Sequence, residues 1–434
     1  MLKAGFARLD VTPPLGIYLA GYPQVRLADT VRDPLYVNAV VFSDGEKTVA
    51  AISLDQIGLP LKRSIPMRET IAARSGLDFN AIILACTHIH TGPAISNFTF
   101  PDDEEYNQTL TKRVADAVVL AMQDLKPAKL SYARSEAKHI SFVRRYKMKD
   151  GSTATNPGRH NPNIDHPIGE PDESVQVIRV VREGGKDIIM VNFQVHPDVV
   201  SGTGLSADFP AVARNTVEAA LGDVHCVYFN GAQGDTNHVD VNCPEWDKNQ
   251  GMPQAIHMGH TIAGAVLSVC DKCAPMDCEK VDFTAIDIEV PLNIPKPEEI
   301  PWAEKVLKDF AEGNMDEYKK QPMGIPIATS CAKRILSLKD SAPTRKLPIT
   351  AIRFGDIGMT GAPGEPFTDI GRNTKARSPF TMTFYCCCCN GYESYYPIRS
   401  AYEEGGYEAK TSRFKAGIAE AITEGNVEAL NKIK

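Results

Sequence analysis

The sequence lacks a dense block of lysine and arginine, which nucleic-acid-binding proteins use to contact phosphates. Its formal net charge is -7 at pH 7, a sign that also disfavours a nucleic-acid surface. It contains no apolar stretch as long as the roughly 20 residues of a membrane-spanning helix, and its N-terminus lacks the apolar core of a signal peptide. We therefore predict a protein that has no membrane span and binds no nucleic acid.

The cysteines number eleven, an odd count, and include the uninterrupted run 386–389. Four consecutive cysteines favour a reducing compartment over a disulfide framework, so we expect a cytoplasmic protein. On a strand, Cys386 and Cys388 would face one side and Cys387 and Cys389 the other. Because a buried unpaired cysteine behaves as a small hydrophobic residue, we interpret the run as core packing rather than as a nucleophile or metal centre.

Strand-like apolar runs alternate with helix-period segments along the 434 residues. The strand-like runs are residues 36–42, 48–54, 81–86, 175–181, 188–195, 224–229, 281–290 and 380–387. The helix-period segments are residues 61–74, 106–123, 209–221, 254–270 and 412–432. This alternation predicts an α/β fold, with mixed sheets layered with helices, in a single large domain of residues 1–434.

Two segments interrupt this alternation. Residues 150–172 are rich in Asn, Pro, Gly and His and predict a long loop, a feature that is often functional in a compact domain. Residues 295–346 are charged and proline-rich, which predicts a helical insertion within the domain. We interpret this insertion either as a lid or as a solvated helical surface.

The segment T-H-I-H-T-G-P at residues 87–93 follows the apolar run 81–86, which predicts a buried strand. Because alternate side chains of a strand share a face, we expect His88 and His90 to point the same way. Neutral imidazole is the commonest metal ligand in proteins. The pair therefore indicates either the start of a metal site or two half-buried histidines that cap a sheet.

Further polar residues stand where other predicted strands end, which is where α/β proteins build their sites. Asp55, His196, Asp235 and Glu365 all occupy such positions. Together with the paired histidines they give a His/His/Glu inventory, and catalytic zinc typically has three protein ligands and an open position for water. A zinc ion lowers the pKa of bound water to about 7 and polarises a carbonyl, which is the chemistry that hydrolysis needs.

These motifs resemble, in order, those of the neutral/alkaline non-lysosomal ceramidase family, whose T-H-x-H-[ST]-G-P segment matches residues 87–93. The other matching segments are residues 4–16, 33–35, 55, 195–196, 234–235, 363–365, 390–395, 402–404 and 407–408. The resemblance covers most of the chain and corresponds to the N-terminal catalytic domain of that family. It implies a zinc-dependent amide hydrolase.

The resemblance also implies a set of metal ligands. The zinc ligands of the family match His88, His196, Glu365 and Tyr395. Tyr392, three residues earlier in the same motif, is the alternative to Tyr395.

Roles in catalysis follow from the same resemblance. The second histidine of the pair, His90, matches the general base, and Arg144 matches the arginine that holds the substrate, with Arg145 as the close alternative. Tyr407 matches a second tyrosine on the substrate side. From their positions at strand ends, we expect Asp55 or Asp235 to orient the imidazoles of the ligand histidines.

The chain departs from the family pattern in three respects. Where the family has Gly-Asp-Val-Ser-Pro-Asn, residues 234–238 read G-D-T-N-H, so we expect no covalent serine mechanism. The sequence also shows neither the C-terminal β-sandwich domain nor a secretion signal. We therefore expect the substrate to be a small soluble molecule with an N-acyl bond rather than membrane ceramide.

Two other interpretations stay open. The first keeps the metal and changes the bond, giving a metal-dependent esterase, lactonase or hydrolase of a sugar-like metabolite, and the polar segment 150–172 favours it. The second is a non-catalytic metal-binding or ligand-sensing protein of the same fold. The presence of His90 beside the expected ligands argues against this second interpretation.

Overall fold

Two β-sheets packed face to face form the centre of the protein in the computed structural model, which describes residues 1–95, 103–320 and 322–434. The strands of the described residues are β1 Lys3–Asp10, β2 Thr30–Val31, β3 Tyr36–Ser43, β4 Thr48–Leu54, β5 Ile82–Cys86, β6 Lys126–Glu136, β7 Phe142–Val143, β8 Arg145–Met148, β9 Thr153–Thr155, β10 Ile164–Pro167, β11 Ser174–Arg182, β12 Asp187–Phe193, β13 Gly204–Leu205, β14 Val224–Asn230, β15 Thr236–Asn237, β16 Ala274–Met276, β17 Val281–Pro291, β18 Thr344–Phe354, β19 Ile357–Gly361, β20 Glu365–Pro366, β21 Met382–Cys386 and β22 Tyr395–Tyr396.

Helices cover both outer faces of this pair of sheets. The α-helices of the described residues are α1 Leu61–Ser75, α2 Glu104–Gln123, α3 Asp208–Leu221, α4 Gly251–Leu267, α5 Ile300–Glu312, α6 Gly324–Leu338, α7 Thr368–Arg377, α8 Arg399–Glu404, α9 Tyr407–Thr411 and α10 Ile418–Lys432. Short 3-10 helices lie at Phe79–Ala81, Cys270–Lys272, Pro297–Glu299 and Asp316–Lys320. Within the described residues, no helix is both long and apolar enough to cross a bilayer.

Both sheets mix parallel and antiparallel pairing. In the described part of the chain, the larger sheet has the order β14-β12-β11-β6-β1-β3-β4-β5, with β16 also paired to β6, and the smaller has the order β17-β18-β19-β21. The pairs β12–β14, β4–β5 and β19–β21 are parallel, and the other pairs in the two sheets are antiparallel. The predicted α/β class with mixed sheets is confirmed.

The alternation of side chains along each strand produces the layers. On β3, Val37, Ala39 and Val41 pack towards α1 and α2, whereas Val40 and Phe42 pack towards the smaller sheet. The Phe42 ring stacks on Phe354 of β18, with 4.1 Å between ring centroids. Helices α3 and α4 cover the other half of the larger sheet, and α7 and α10 cover the outer face of the smaller one. The result is four layers in the order helix, sheet, sheet, helix.

The predicted elements differ from the observed ones mainly at their ends. The helix predicted for residues 412–432 begins at Ile418, because Phe414 forms an isolated β-bridge with Leu292 and Gly417 has a φ of 106°. The prediction of a loop for residues 150–172 is wrong in part. That segment contains β9 and β10, which pair with the two edges of β8.

The four consecutive cysteines do not alternate between two faces, because β21 ends at Cys386 and Cys388 has a φ of 44°. Cys386 and Cys389 lie in the core between the sheets, whereas Cys387 and Cys388 lie in the core beneath α1 and α2. All four are buried. Burial raises the pKa of the Cys386 and Cys388 thiols well above their usual value, so both stay protonated.

Residues 295–346 contain α5 and α6, which pack on each other through a small apolar cluster of their own. The cluster is centred on Ala303, Val306, Ala332 and Ile335. On its other side α6 contacts α9, where the Ser330 hydroxyl oxygen is 3.4 Å from that of Tyr407. The helical pair therefore lies beside a residue that the sequence places in the functional site.

Candidate metal centre

Three parallel strand pairs bring their carboxyl ends together at one end of the two packed sheets. The pairs are β4–β5, β12–β14 and β19–β21. His88 and His90 follow β5, His196 follows β12, and Glu365 follows β19. Ligand sites in open α/β sheets form beyond the carboxyl ends of strands, and here two sheets contribute to one such site.

The side chains of His88, His196 and Glu365 meet at a point. The His88 Nε2 atom is 3.3 Å from His196 Nε2 and 3.3 Å from Glu365 Oε2, and His196 Nε2 is 3.2 Å from Glu365 Oε2. All three side chains are buried, with 0 or 1% of each exposed. Three atoms that can carry lone pairs thus converge in the interior.

The other ring nitrogens decide how the two imidazoles are protonated. The Nδ1 atom of His88 lies 2.5 Å from the carbonyl oxygen of Ile57, and that of His196 lies 3.1 Å from the carbonyl oxygen of Gln233. A carbonyl oxygen can only accept a hydrogen bond, so each Nδ1 carries a proton, and in the neutral ring each Nε2 presents a lone pair. The carbonyls therefore hold both rings in the orientation that a metal ligand needs.

The donor set fits a metal ion. Zinc–nitrogen and zinc–oxygen bonds are about 2.0–2.1 Å long, so the ligand atoms of a tetrahedral site lie roughly 3.3–3.4 Å apart. The three observed separations, 3.2 and 3.3 Å, are close to that value. The Glu365 Oε2 atom is buried and receives no hydrogen bond from the described residues. Lone pairs at this distance repel unless a cation or a proton lies among them, so the three residues could hold a metal ion.

The electrostatics of the cluster also favour a positive charge. Burial would raise the pKa of Glu365, but His88 and His196 lower it well below the usual range. Burial would lower the pKa of His88, but the Glu365 carboxylate raises it above its usual value. Burial and the nearby Arg144 lower the pKa of His196. The carboxylate thus stays ionised and stabilises a cation placed among the three side chains.

His90 lies beside this set. Its Nε2 atom is 3.4 Å from His88 Nε2, and its Nδ1 atom is buried without a hydrogen-bond partner among the described residues. One ring nitrogen from each of His88, His90 and His196 lies within 4.8 Å of the other two, so a three-histidine site is an alternative to the His/His/Glu site. We favour Glu365 over His90, because Glu365 is within 3.3 Å of both other donors and supplies a negative charge.

Close packing fixes the ring of His90. A Cβ atom added to Gly21 would lie 2.6 Å from His90 Cγ, so only glycine leaves room for the imidazole. Burial, followed by the proximity of His88 and His196, lowers the pKa of His90 well below its usual value. The ring is therefore a neutral base at pH 7.

The two histidines of the pair do not converge in the way that the sequence predicts. The strand ends at Cys86, and His88 has a φ of 72°, in the left-handed region that a residue with a side chain rarely adopts. The side chain of Ile89, between the two histidines, is buried in the core. The imidazoles meet because the backbone turns at His88, and not because they alternate along a strand. Such strain is typical of functional sites.

Tyr392 and Tyr395 occupy different places. The Tyr392 hydroxyl donates a hydrogen bond of 2.6 Å to Glu365 Oε1, the oxygen that faces away from the histidines. Tyr395 pairs with Glu365 in the register of β20 and β22, and the guanidinium carbon of Arg144 lies 5.4 Å from the centroid of its ring. The ring of Tyr407 is next, with 5.6 Å between its centroid and that of Tyr395. Burial raises the pKa of both Tyr392 and Tyr395 well above the usual value.

Glu408, a buried carboxylate to which the sequence assigned no role, binds Arg144 and lies 3.8 Å from the Nε atom of Arg145. Arg144 Nε donates to Glu408 Oε1 at 2.7 Å, and its Nη2 donates to the carbonyl of Gly234 at 2.7 Å. Arg145 turns the other way, and its Nη2 donates to Glu404 Oε2 and to the carbonyl of Gly405, each at 2.9 Å. Two consecutive arginines near a buried site need carboxylate partners, and that was the available signal for Glu408.

The structure does not bring Asp55 or Asp235 onto the imidazoles. Asp55 is fully buried and forms a two-pronged ion pair with Arg214, with N–O distances of 2.9 and 2.8 Å. Asp235 accepts hydrogen bonds from the backbone nitrogen and the hydroxyl of Thr368 at 2.7 and 2.8 Å. The orienting role belongs instead to main-chain carbonyls, which no side-chain pattern in a sequence can reveal.

A cavity of about 190 Å³ lies beside Arg144, which is close to His196 of the metal centre. Arg144 and His238 form one side of it, and His238 Nδ1 is 3.0 Å from Oδ1 of Asp198, two residues after His196. The loop before β10 supplies Asn156 and Arg159. The segment that the sequence predicts as a functional loop therefore lines a cavity next to the site.

Two solved structures share this architecture, whereas no protein-family model and no curated protein matches the sequence. The crystal structure of neutral ceramidase from Pseudomonas aeruginosa has a TM-score of 0.76 at 16% identity, covering 99% of this chain and 74% of that chain. A ceramidase complexed with C2 has a TM-score of 0.76 at 15% identity, again covering 99% of this chain and 74% of that chain. The chain therefore has a neutral-ceramidase-like fold, which confirms the fold implied by the sequence motifs.

Proposed function

We propose that this protein is a zinc-dependent hydrolase that cleaves an amide (N-acyl) bond in a small soluble molecule. The observation that carries the proposal is the convergence of His88 Nε2, His196 Nε2 and Glu365 Oε2 within 3.3 Å of one another. Two imidazoles and one carboxylate are a common ligand set of catalytic zinc. The neutral-ceramidase-like fold supports the choice of an amide bond.

Zinc bound at this site would supply an activated water and an electrophile for the scissile carbonyl. His90 accepts a proton from the attacking water and returns it to the leaving amine, which balances the hydrolysis of the amide to an acid and an amine. Its position, with Nε2 3.4 Å from His88 Nε2 and Nδ1 without a partner among the described residues, supports this role. Because Tyr392 is engaged with Glu365, we assign the fourth ligand position to Tyr395.

Arg144 and Tyr407 orient the substrate and stabilise the developing oxyanion. The ion pair with Glu408 and the bond to the Gly234 carbonyl fix the Arg144 guanidinium before substrate binds, so little reorganisation is needed. We further propose that residues 295–346 act as a helical lid of the single hydrolase domain. The contacts of Ser330 with Tyr407 and of Met323 with Asn156 support this proposal.

The small size of the cavity beside Arg144 supports a small soluble substrate rather than ceramide. Its volume, about 190 Å³, is below the roughly 300–1,000 Å³ of pockets that hold a whole drug-sized ligand. Its lining includes Arg144, Arg159, His238 and Lys248, which can bind a polar group.

Metal analysis of the purified protein tests the centre of the proposal. We expect about one equivalent of zinc, and we expect His196→Ala to lose it, since that change removes one of the four proposed protein ligands. The matched control is His257→Ala, which changes an exposed histidine on α4 and should retain the metal. Full metal retention in His196→Ala would contradict the ligand assignment.

Parallel assays with N-acyl amides, esters and lactones test the bond. We expect turnover of amides that is abolished by chelation and restored by zinc. Hydrolysis of esters or lactones without any hydrolysis of amides would retain the metal centre and reject the amidase assignment. Bound zinc without turnover of any of the three classes would favour a non-catalytic protein.

A further inference from the structure

The residues that line the cavity beside Arg144 carry an excess of positive charge. Its cationic lining residues are Arg144, Arg159 and Lys248, and no carboxylate lines it. Arg144 is neutralised by Glu408, which lies outside the cavity. Neither Arg159 nor Lys248 forms an ion pair with any described residue, although Asp240 lies near the lining residue Tyr146 and offsets part of this positive charge.

The Arg159 side chain is held in place by hydrogen bonds, but its positive charge has no ion-pair partner among the described residues. Its Nη1 and Nη2 atoms donate to the carbonyl oxygens of Lys248 and Pro244 at 3.1 and 3.2 Å, and its Nε atom is buried with no partner among the described residues. A guanidinium bound only to neutral carbonyls gains less than one bound to an anion. The side chain is therefore fixed in a cavity wall with its charge still available.

Other residues that line the cavity can also donate hydrogen bonds to an anion. Burial, together with the nearby Asp240, raises the pKa of Tyr146 to about 12, so its phenol remains a hydrogen-bond donor. Asn156, Gly158 and Asn249 all have positive φ angles, of 49°, 94° and 49°. Glycine adopts this conformation freely, so only Asn156 and Asn249 add backbone strain to the cavity wall.

We infer that this cavity binds an anionic group of the substrate, a carboxylate or a phosphate ester, next to the scissile amide. The inference rests on the proposed function and narrows it to acidic N-acyl compounds. Arg144 and His238 join the cavity to the metal centre, and the volume of about 190 Å³ suits a single polar group. Arg159 and Lys248 then recognise the charge, while the ligands and His90 act on the amide.

Three substrates of similar size test the inference on the metal-loaded enzyme, namely N-acetylglycine, the phosphate ester of N-acetylethanolamine, and neutral N-acetylethanolamine. Each releases a primary amine, so one detection method serves all three. We expect at least one acidic compound to have a kcat/KM roughly tenfold or more above the neutral one, as a charge-assisted contact requires. The first two compounds distinguish the carboxylate from the phosphate ester.

Substitutions in the cavity then locate the effect. Arg159→Gln should reduce the preference for the acidic compound by roughly tenfold, mainly through KM. Because Arg159 also holds two backbone carbonyls, a second variant is needed. Lys248→Gln changes an exposed side chain with no hydrogen bond to the rest of the described residues, and should reduce the same preference by a smaller factor. Lys62→Gln, on the exposed surface of α1, is the matched charge control and should leave the preference unchanged.

Calorimetric binding of N-acetylglycine to the same proteins separates the two proposals. Equal turnover of acidic and neutral amides, with a ratio unaffected by Arg159→Gln and Lys248→Gln, overturns the anion site and leaves the amidase intact. If no amide is hydrolysed but N-acetylglycine binds, and Arg159→Gln weakens that binding, the amidase is rejected and the anion site stands. If N-acetylglycine neither binds nor is hydrolysed, and the phosphate ester behaves likewise, the anion site is rejected.

Discussion

Glu365 illustrates at the scale of a single residue how the candidate site is preorganised. One carboxylate oxygen accepts a hydrogen bond from Tyr392, and the other faces His88 and His196. The bond to Tyr392 fixes the rotation of the carboxylate before any ligand arrives. Partners of this kind, which touch the ligand side chain but not the metal, commonly change metal affinity by 10- to 100-fold.

We therefore expect Tyr392→Phe to lower the affinity for zinc by about 10- to 100-fold, because the freed carboxylate must be ordered on binding. Competition with a chelator of known affinity measures the change. Tyr402→Phe is the control, since the Tyr402 hydroxyl contacts Ser412 and Phe414 instead of Glu365. Unchanged affinity in Tyr392→Phe would show that this hydrogen bond does not position the carboxylate.

His90 and His88 should respond differently to substitution. We expect His90→Gln to retain about one equivalent of metal and to lower kcat by roughly 10²- to 10⁴-fold, the usual contribution of a general base. We expect His88→Ala to lose the metal itself. Metal content and single-turnover rates of the two variants check this division, and loss of metal from His90→Gln would place His90 among the ligands.

At the scale of secondary-structure elements, the sequence predicts regular pieces well and irregular ones poorly. The strand-like apolar run of residues 48–54 coincides with β4, because both faces of that strand are covered and the run has clear ends. The turn at His88 was not predictable, since no residue type in that segment marks a left-handed backbone. The role of the Ile57 and Gln233 carbonyls could not be predicted either, because every residue has such a group. The sequence could therefore nominate the donor residues but not the geometry that joins them.

The ion pair between Asp55 and Arg214 ties the end of β4 to α3. Both side chains are buried, so removal of one partner leaves an uncompensated charge. We expect Arg214→Met to lower the free energy of unfolding by about 3–5 kcal/mol. Urea denaturation measures this change, and Arg377→Gln is the control.

The control breaks the exposed pair of Arg377 with Glu424, whose side chains are 45 and 65% exposed. It should cost less than about 1 kcal/mol. A similar small loss in both variants would mean that the Asp55–Arg214 pair does not stabilise the junction of β4 and α3.

At the scale of the whole molecule, the partly buried His225 makes the stability of the fold depend on pH. His225 of β14 stacks on Phe6 of β1, with 4.1 Å between ring centroids. Burial, then Arg182 and Arg8, lower its pKa from 6.5 to about 4. In the unfolded chain, His225 has an ordinary histidine pKa and binds a proton below about pH 6.5. In the folded protein, it binds that proton only below about pH 4.

Stability should therefore fall as the pH falls from about 6.5 to 4, and His225 makes no such contribution above that window. Since the ring is only half-buried, we expect a loss of roughly 1–2 kcal/mol from this residue. His225→Phe keeps the ring stack and removes the titration, so its free energy of unfolding should depend less on pH across this range. His166→Phe, at an exposed position, is the control, and identical pH slopes in both variants would exclude His225 as the cause.

The three donors of the candidate centre come from chain positions 88, 196 and 365, each of which follows a strand of one of the two large sheets. None of them is near another in sequence, so the donor set cannot exist in a partly folded chain that has formed only one sheet. Metal binding at the centre therefore requires that both sheets have already packed together. During refolding, the time at which the chain first binds a metal ion therefore reports when the two sheets dock.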